Sequence, residues 1–165
     1  MISIEKNTDN NFTVIRAIAK EVWPIAYGAI LKEAQLKYMM ELMYSEDSLQ
    51  LQVNSKKHHF ILAKENDVTL GFASYEFNYS ETNKTKIHKI YVLSTQQGNG
   101  VGRKLINYIE NEAKNHYQDA LVLNVNKYNG AQDFYKKIGF TIDHEEVIAI
   151  GNGYVMDDYV MQKLV

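Results

Sequence analysis

The chain has 165 residues, no cysteine and 18 Lys and Arg against 20 Asp and Glu, for a formal net charge of −2. That length builds one domain around one core, the absent cysteines exclude disulfides, thiolate metal sites and a cysteine nucleophile, and the near-neutral charge offers no basic face to nucleic acid. No run approaches the ~18 apolar residues of a membrane span and the first six residues lack a signal-peptide core, so a cytoplasmic protein without membrane contact is expected.

Ile2 and Ile4 alternate with polar neighbours and predict a first strand. Thr8 or Asp9 is placed to cap a helix whose apolar positions Val14, Ile15, Ile18, Ala19 and Val22 recur at helical spacing up to Trp23. Pro24, the only proline, marks a break there or the start of a new helix. A second helix is predicted from Lys32 to Tyr44. Its Met39, Met40 and Met43 read as core filling in preference to a flexible substrate wall. Ser45 caps a short third helix to about Val53. Strands follow at His59 to Ala63, Leu70 to Tyr79 and Lys86 to Leu93, with Glu65-Asn66-Asp67 as a turn. Gly71 marks a bulge or a close backbone approach. The period then turns helical, with Val101, Leu105, Tyr108, Ile109 and Ala113 on one face. Leu121 to Val125 predicts a strand, and Ala131 to Ile138 a helix closed by Gly139. Phe140 to Ile150 and Tyr154 to Leu164 form a hairpin about Gly151-Asn152-Gly153. Residues 1–165 thus read as a single α/β (α+β) domain.

One segment carries chemistry. The strand ending at Leu93 runs into Gln97-Gly98-Asn99-Gly100-Val101-Gly102, which opens the long helix. Glycines permit positive φ and close approach of a ligand, and the first N–H groups of a helix form an anion site suited to a pyrophosphate. A turn that merely reverses the chain is the alternative. No Gly-Lys-Ser/Thr ends the loop, so it is not a Walker A motif. Several strands precede it and strand Leu121 to Val125 ends in Asn126, against a Rossmann fingerprint. The histidines His58, His59, His88, His116 and His144 include no HxxxH or HExxH pair, and no metal is expected.

The loop resembles motif A of the GNAT superfamily of N-acetyltransferases, Gln/Arg-x-x-Gly-x-Gly/Ala, at Gln97, Gly100 and Gly102. The segment from Asn129 through Phe134 and Tyr135 to Gly139 and Phe140 resembles that family's second cofactor segment, with its alanine one place early at Ala131. The resemblance implies a single-domain GNAT fold, a mixed, mostly antiparallel sheet flanked by helices, and transfer of acetyl from acetyl-CoA to a primary amine by direct attack in a ternary complex. It implies that Tyr91, Val92 and Leu93 pair with the pantetheine arm through their backbone. Gln97, Gly98, Asn99, Gly100, Val101, Gly102 and Arg103 would surround the pyrophosphate. Asn129 would bond the pantetheine arm, cap the following helix, or both. Tyr135, a phenol of pKa near ~10, would be the general acid toward the leaving sulfur, and His88 or Glu76 would be the base. The amino-terminal Trp23-Pro24-Ile25-Ala26-Tyr27 and the methionine-rich helix are similar to bacterial PaiA-type polyamine acetyltransferases, which makes a polyamine the first acceptor to expect. Glu41, Glu76, Asp157 and Asp158 would attract it, or are simply solvated surface. A small-molecule amine is the expected partner, and a homodimer is left open. The rival readings are a protein or peptide N-acetyltransferase and a non-catalytic acyl-CoA-binding regulator.

Overall fold

The computed structural model describes residues 1–165. Strand β1 (Ser3–Lys6) leads into α1 (Thr13–Tyr27), α2 (Glu33–Tyr44) and α3 (Glu46–Asn54). Strands β2 (His59–Glu65), β3 (Val68–Glu76) and β4 (Lys84–Val92) follow, then α4 (Val101–Asn115), β5 (Ala120–Asn126), α5 (Ala131–Lys137), β6 (Thr141–Gly151) and β7 (Tyr154–Leu164). The strands form one sheet in the order β1-β2-β3-β4-β5-β7-β6. Only β4 and β5 pair in parallel, and α4 supplies the crossover that a parallel pair needs. The α+β class and mostly antiparallel sheet are those expected from the sequence.

Strand β2 shows how the sequence sorts the layers. Phe60 and Leu62 belong to the core under α1, α2 and α3, whereas Ile61 and Ala63 belong to the core under α4 and α5. This is the period of two of a strand buried on both faces. Helix α4 buries Val101, Leu105, Ile106, Ile109 and Ala113, one stripe at helical spacing. Each buried Leu or Ile contributes about 1.5–3 kcal/mol.

Three local expectations change. Helix α1 begins at Thr13, not near Thr8 or Asp9: the Asp9 carboxylate accepts from the Asn11 N–H at 3.0 Å, and the Asn11 side chain accepts from the Thr13 N–H at 3.1 Å. Pro24 lies inside α1 and does not end it. The last turn is held by Trp23 and Tyr27, whose rings stand 5.0 Å apart. The second predicted central strand stops at Glu76, and Tyr79 falls in a short 3-10 turn. Other signals act as read: the Ser45 hydroxyl caps α3 through the Ser48 N–H at 3.2 Å. Gly71 serves both of its readings. It adjoins the slip in the β2–β3 register, and a Cβ there would stand 2.6 Å from the Tyr91 carbonyl oxygen.

Two features of this frame position the site. Strands β4 and β5 pair only from Lys84 opposite Ala120 to Ile87 opposite Leu123, yet run on to Val92 and Asn126. Beyond Ile87 they diverge as a V. The register of β4 against β3 also slips at this point, leaving His88 as an extra residue between Ile87 and Lys89. Such a bulge bends its strand. The second feature is the start of α4, which lies at the end of β4.

Candidate active site

The amino terminus of α4 is built for an anion. Gly98 and Gly100 take φ of +85° and +79°, a conformation glycine adopts without steric cost, and a Cβ at either would meet nothing within 4 Å. Gly100 is the N-cap, no side chain caps the helix, and its first turn holds no acidic residue. The Lys104 N–H makes the first bond to Gly100, at 3.0 Å. The N–H groups of Gly100, Val101, Gly102 and Arg103 are therefore the four that a helix leaves unpaired, and they sit at the positive end of its dipole. Arg103 and Lys104 are both exposed beside them.

The V between β4 and β5 leaves one edge of β4 from His88 to Val92 without a strand opposite. The other edge stays paired with β3, with Tyr91 opposite Phe72 and Val92 opposite Gly71. Asn129 flanks the V. Its side-chain oxygen accepts from the Ala131 N–H at 2.9 Å and so ties down the start of α5.

Behind the V lies a cavity of about 440 Å³. Trp23, Tyr27, Tyr44 and Tyr91 make its aromatic wall. Trp23 stands 5.0, 5.5 and 5.8 Å from the rings of Tyr27, Tyr44 and Tyr91, and the Tyr27 and Tyr91 hydroxyls are 3.1 Å apart. Met39 and Met43 line the same cavity. Met39 is both core and wall, since it is 3% exposed. The β6–β7 hairpin closes over this helix: the Tyr38 hydroxyl donates to the Ile150 carbonyl at 2.8 Å, and the Gln35 amide to that of Val155 at 3.1 Å.

The polar wall is unbalanced in charge. The Lys86 ammonium donates to the Asn124 side-chain oxygen. The Asn124 amide in turn donates to Glu146 at 2.9 Å and to Asp158 at 3.3 Å. Asn124 thus links the ammonium and the two carboxylates in one hydrogen-bonded group. Asp158 is 1% exposed and its second oxygen has no partner. Burial raises its pKa and lowers that of Lys86, as desolvation disfavours either charged form. Lys89, on the next turn of the pleat, donates to the Gln52 side-chain oxygen at 2.5 Å and lies over the rings of Tyr44 and Phe60. Burial brings its pKa down to about 7.

His58 and His88 line the same cavity, and with Glu76 they also border a second, neighbouring one. The His88 Nε2–H is 2.8 Å from the Glu76 carboxylate, and His58 Nε2 is 3.7 Å from the same oxygen. The two imidazoles stack with centroids 3.9 Å apart. Burial, aided by neighbouring cations, lowers the pKa of His58 to about 3 and that of His88 to about 2. Both rings are neutral at physiological pH, so the His88 contact is a hydrogen bond and not an ion pair. Burial raises the pKa of Glu76.

The profile of the acetyltransferase (GNAT) domain family matches residues 30–162. The chain belongs to the GNAT family. It is an acetyl-CoA-dependent N-acetyltransferase. Over its whole length it is similar to an uncharacterized N-acetyltransferase of Lactobacillus delbrueckii subsp. lactis, 21% identical across 99% of this chain and 98% of that one. An L-methionine sulfoximine/L-methionine sulfone acetyltransferase of Salmonella typhimurium is 29% identical over half of each chain. Among solved structures, the PaiA N-acetyltransferase of Thermoplasma acidophilum, in complex with coenzyme A, superposes with a TM-score of 0.82. It is 22% identical and covers 100% of this chain and 99% of that one. No helix of this GNAT protein is long and apolar enough to cross a membrane.

The residues singled out in the sequence fall into distinct places. Tyr91 and Val92 lie on the opened stretch of β4, Leu93 just past its end, and Gln97 to Gly100 in the loop before α4. Two loop positions differ from expectation. The Val101 side chain is core, 1% exposed, leaving only its N–H for a ligand. A Cβ on Gly102 would stand 3.3 Å from the Phe134 ring, so the missing side chain admits α5 while the N–H stays free for a ligand. Tyr135 is buried on α5 between Phe134 and Phe140. Burial and the nearby Tyr27 hydroxyl push its phenol well above the ordinary value. Of the acidic candidates, Glu41 is exposed and Asp157 pairs with Lys127 at 2.9 Å. Asp158 is not the surface residue that its type suggests. Sequence reasoning missed Lys86, Lys89, Asn124 and Glu146, because a lysine or an asparagine in a strand carries no spacing signal.

Proposed function

We propose that this enzyme acetylates a small primary amine, held in the cavity behind the V while acetyl-CoA lies across the V. The observation that carries the proposal is the juxtaposition of an uncapped helix start, an open strand edge and a walled cavity along a single line. The pyrophosphate takes the N–H groups of Gly100 to Arg103, supported by Arg103 and Lys104. The pantetheine arm adds to the free edge of β4 as a further strand would, and the Asn129 amide supplies a donor. The thioester then reaches the tyrosines. The Tyr135 phenol is a far weaker acid than a thiol of pKa near ~8.5, so it stabilises the leaving sulfur by a hydrogen bond from its O–H. Glu76 and His88 share a hydrogen bond at the cavity edge and can take the proton that the amine gives up on attack.

A polyamine is the first acceptor class. The nitrogen that reacts is the neutral one, and a second ammonium can meet the carboxylates of Glu146 and Asp158 in the cavity wall. The aromatic wall of Trp23, Tyr27 and Tyr44 suits the alkyl chain. A second reading is an amine that carries its own acid group, favoured by the buried Lys89 and by the substrates that name the Salmonella relative. Release of CoA thiol from acetyl-CoA with spermidine, with α-amino acids and with a peptide amine separates these. Turnover with spermidine alone is expected. Turnover with amino acids alone selects the second reading, and turnover with the peptide alone overturns the small-amine proposal.

A further inference from the structure

We propose that His58, Glu76 and His88 form a binding site for a divalent transition-metal ion of the Zn²⁺ type. They come from three separate elements: His58 precedes β2, Glu76 ends β3 and His88 is the bulged residue of β4. Their ligating atoms all lie within 4.8 Å of one another. Four tetrahedral zinc ligands at about 2.0–2.1 Å from the metal stand about 3.3 Å apart. The 3.7 Å gap between His58 and Glu76 is already close to that. The 2.8 Å contact between His88 and Glu76 is a hydrogen bond that the metal replaces, so the metal-loaded site and the proton-accepting pair are alternative states of the same residues. The proton on His88 Nε2 leaves as Nδ1 takes one up, so the ring stays neutral and no net charge is lost.

Two imidazoles and one carboxylate are a recurrent set for first-row metals. The carboxylate is half-buried and its direct partners are those two neutral rings. His58 is 7% exposed, so packing holds its ring in place beside Glu76. On the open side the three side chains border a cavity of about 520 Å³, edged by Ser55, Lys56 and Tyr79, which leaves room for a water or an added ligand in the fourth position. The ammonium groups of Lys56, Lys86 and Lys89 oppose a cation here. They select against Mg²⁺ and Ca²⁺, whose binding is largely electrostatic, and in favour of ions with strong bonds to imidazole.

The test is independent of acetyl transfer. Calorimetry with ZnCl₂ on the full chain is expected to show one site, no response to MgCl₂, at least about tenfold weaker binding in His58→Ala and in Glu76→Gln, and wild-type binding in His144→Ala. Circular dichroism checks that each variant is folded. If His58→Ala does not fold, anomalous scattering at the zinc edge from wild-type crystals locates the ion. Density among the three side chains supports the site. No zinc binding, binding unchanged in both ligand variants, or density elsewhere overturns it.

Discussion

Replacing Asp158 by asparagine should stabilise the protein and weaken acceptor binding at once. The carboxylate is 1% exposed, one oxygen has no partner, and the other accepts from Asn124 at 3.3 Å. Asparagine keeps the shape and removes the buried charge, leaving a neutral amide nitrogen in place of the unpartnered oxygen, and a buried unpaired charge costs more than a buried unpaired neutral group. A gain of about 1 kcal/mol raises Tm by roughly 2–4 °C in a chain of this size. Because burial raises the folded pKa of Asp158, its contribution to stability is fully present below the unfolded value near ~3.9. That contribution is lost as pH rises through the folded value. The advantage of Asp158→Asn therefore grows from about pH 4 toward neutrality. Acceptor binding moves the other way, since removing one partner of a buried charge pair costs about 2–5 kcal/mol, at least about 30-fold in KM for a cationic amine. The Kd for CoA should not change. Thermal melts at acid and neutral pH, paired with steady-state kinetics, read both effects. A variant less stable than wild type at neutral pH with an unchanged amine KM refutes the reasoning.

Tyr135→Phe keeps the buried ring and should lower kcat about 10²–10⁴-fold with little change in CoA affinity by calorimetry. Wild-type turnover would make the tyrosine a packing residue. Gly102→Val places side-chain carbon against Phe134, 3.3 Å away at the Cβ, and should cost about 1–3 kcal/mol in urea unfolding. An unchanged midpoint would mean that α4 and α5 are not tightly packed there.

The sequence made the frame legible where one period ruled a whole element. The stripe Val101, Leu105, Ile109 and Ala113 marked α4, and the apolar runs of β2 and β3 marked two central strands. Boundaries failed where side-chain hydrogen bonds compete with propensity, as at Asp9 and Asn11, or where packing outweighs a lost N–H, as at Pro24. In the loop, the positive φ of Gly98 and Gly100 was legible because it demands glycine, whereas Gly102 shares their motif and also makes room for Phe134. The acceptor wall was hidden. Lys86, Asn124, Glu146 and Asp158 lie on four different strands, and only the register of the sheet brings them together. His58, Glu76 and His88 were likewise unreadable as a set, since no local spacing links them.

The proposed pyrophosphate site at the start of α4 is tested most directly by CoA calorimetry on Asn99→Asp. Asn99 is exposed in the loop just before the N-cap Gly100, so the substitution adds one negative charge beside the helix start and leaves the core untouched. An acid there interacts well with the helix dipole, by about 0.3–1 kcal/mol, and the free protein should be as stable as wild type or slightly more so. A pyrophosphate on the same N–H groups is repelled by about 1–2 kcal/mol at low salt, roughly 5- to 30-fold in Kd, and the difference should shrink as salt rises. Weaker CoA binding in an equally stable protein is the expected result. Unchanged CoA affinity at low salt would contradict a pyrophosphate site at this helix start.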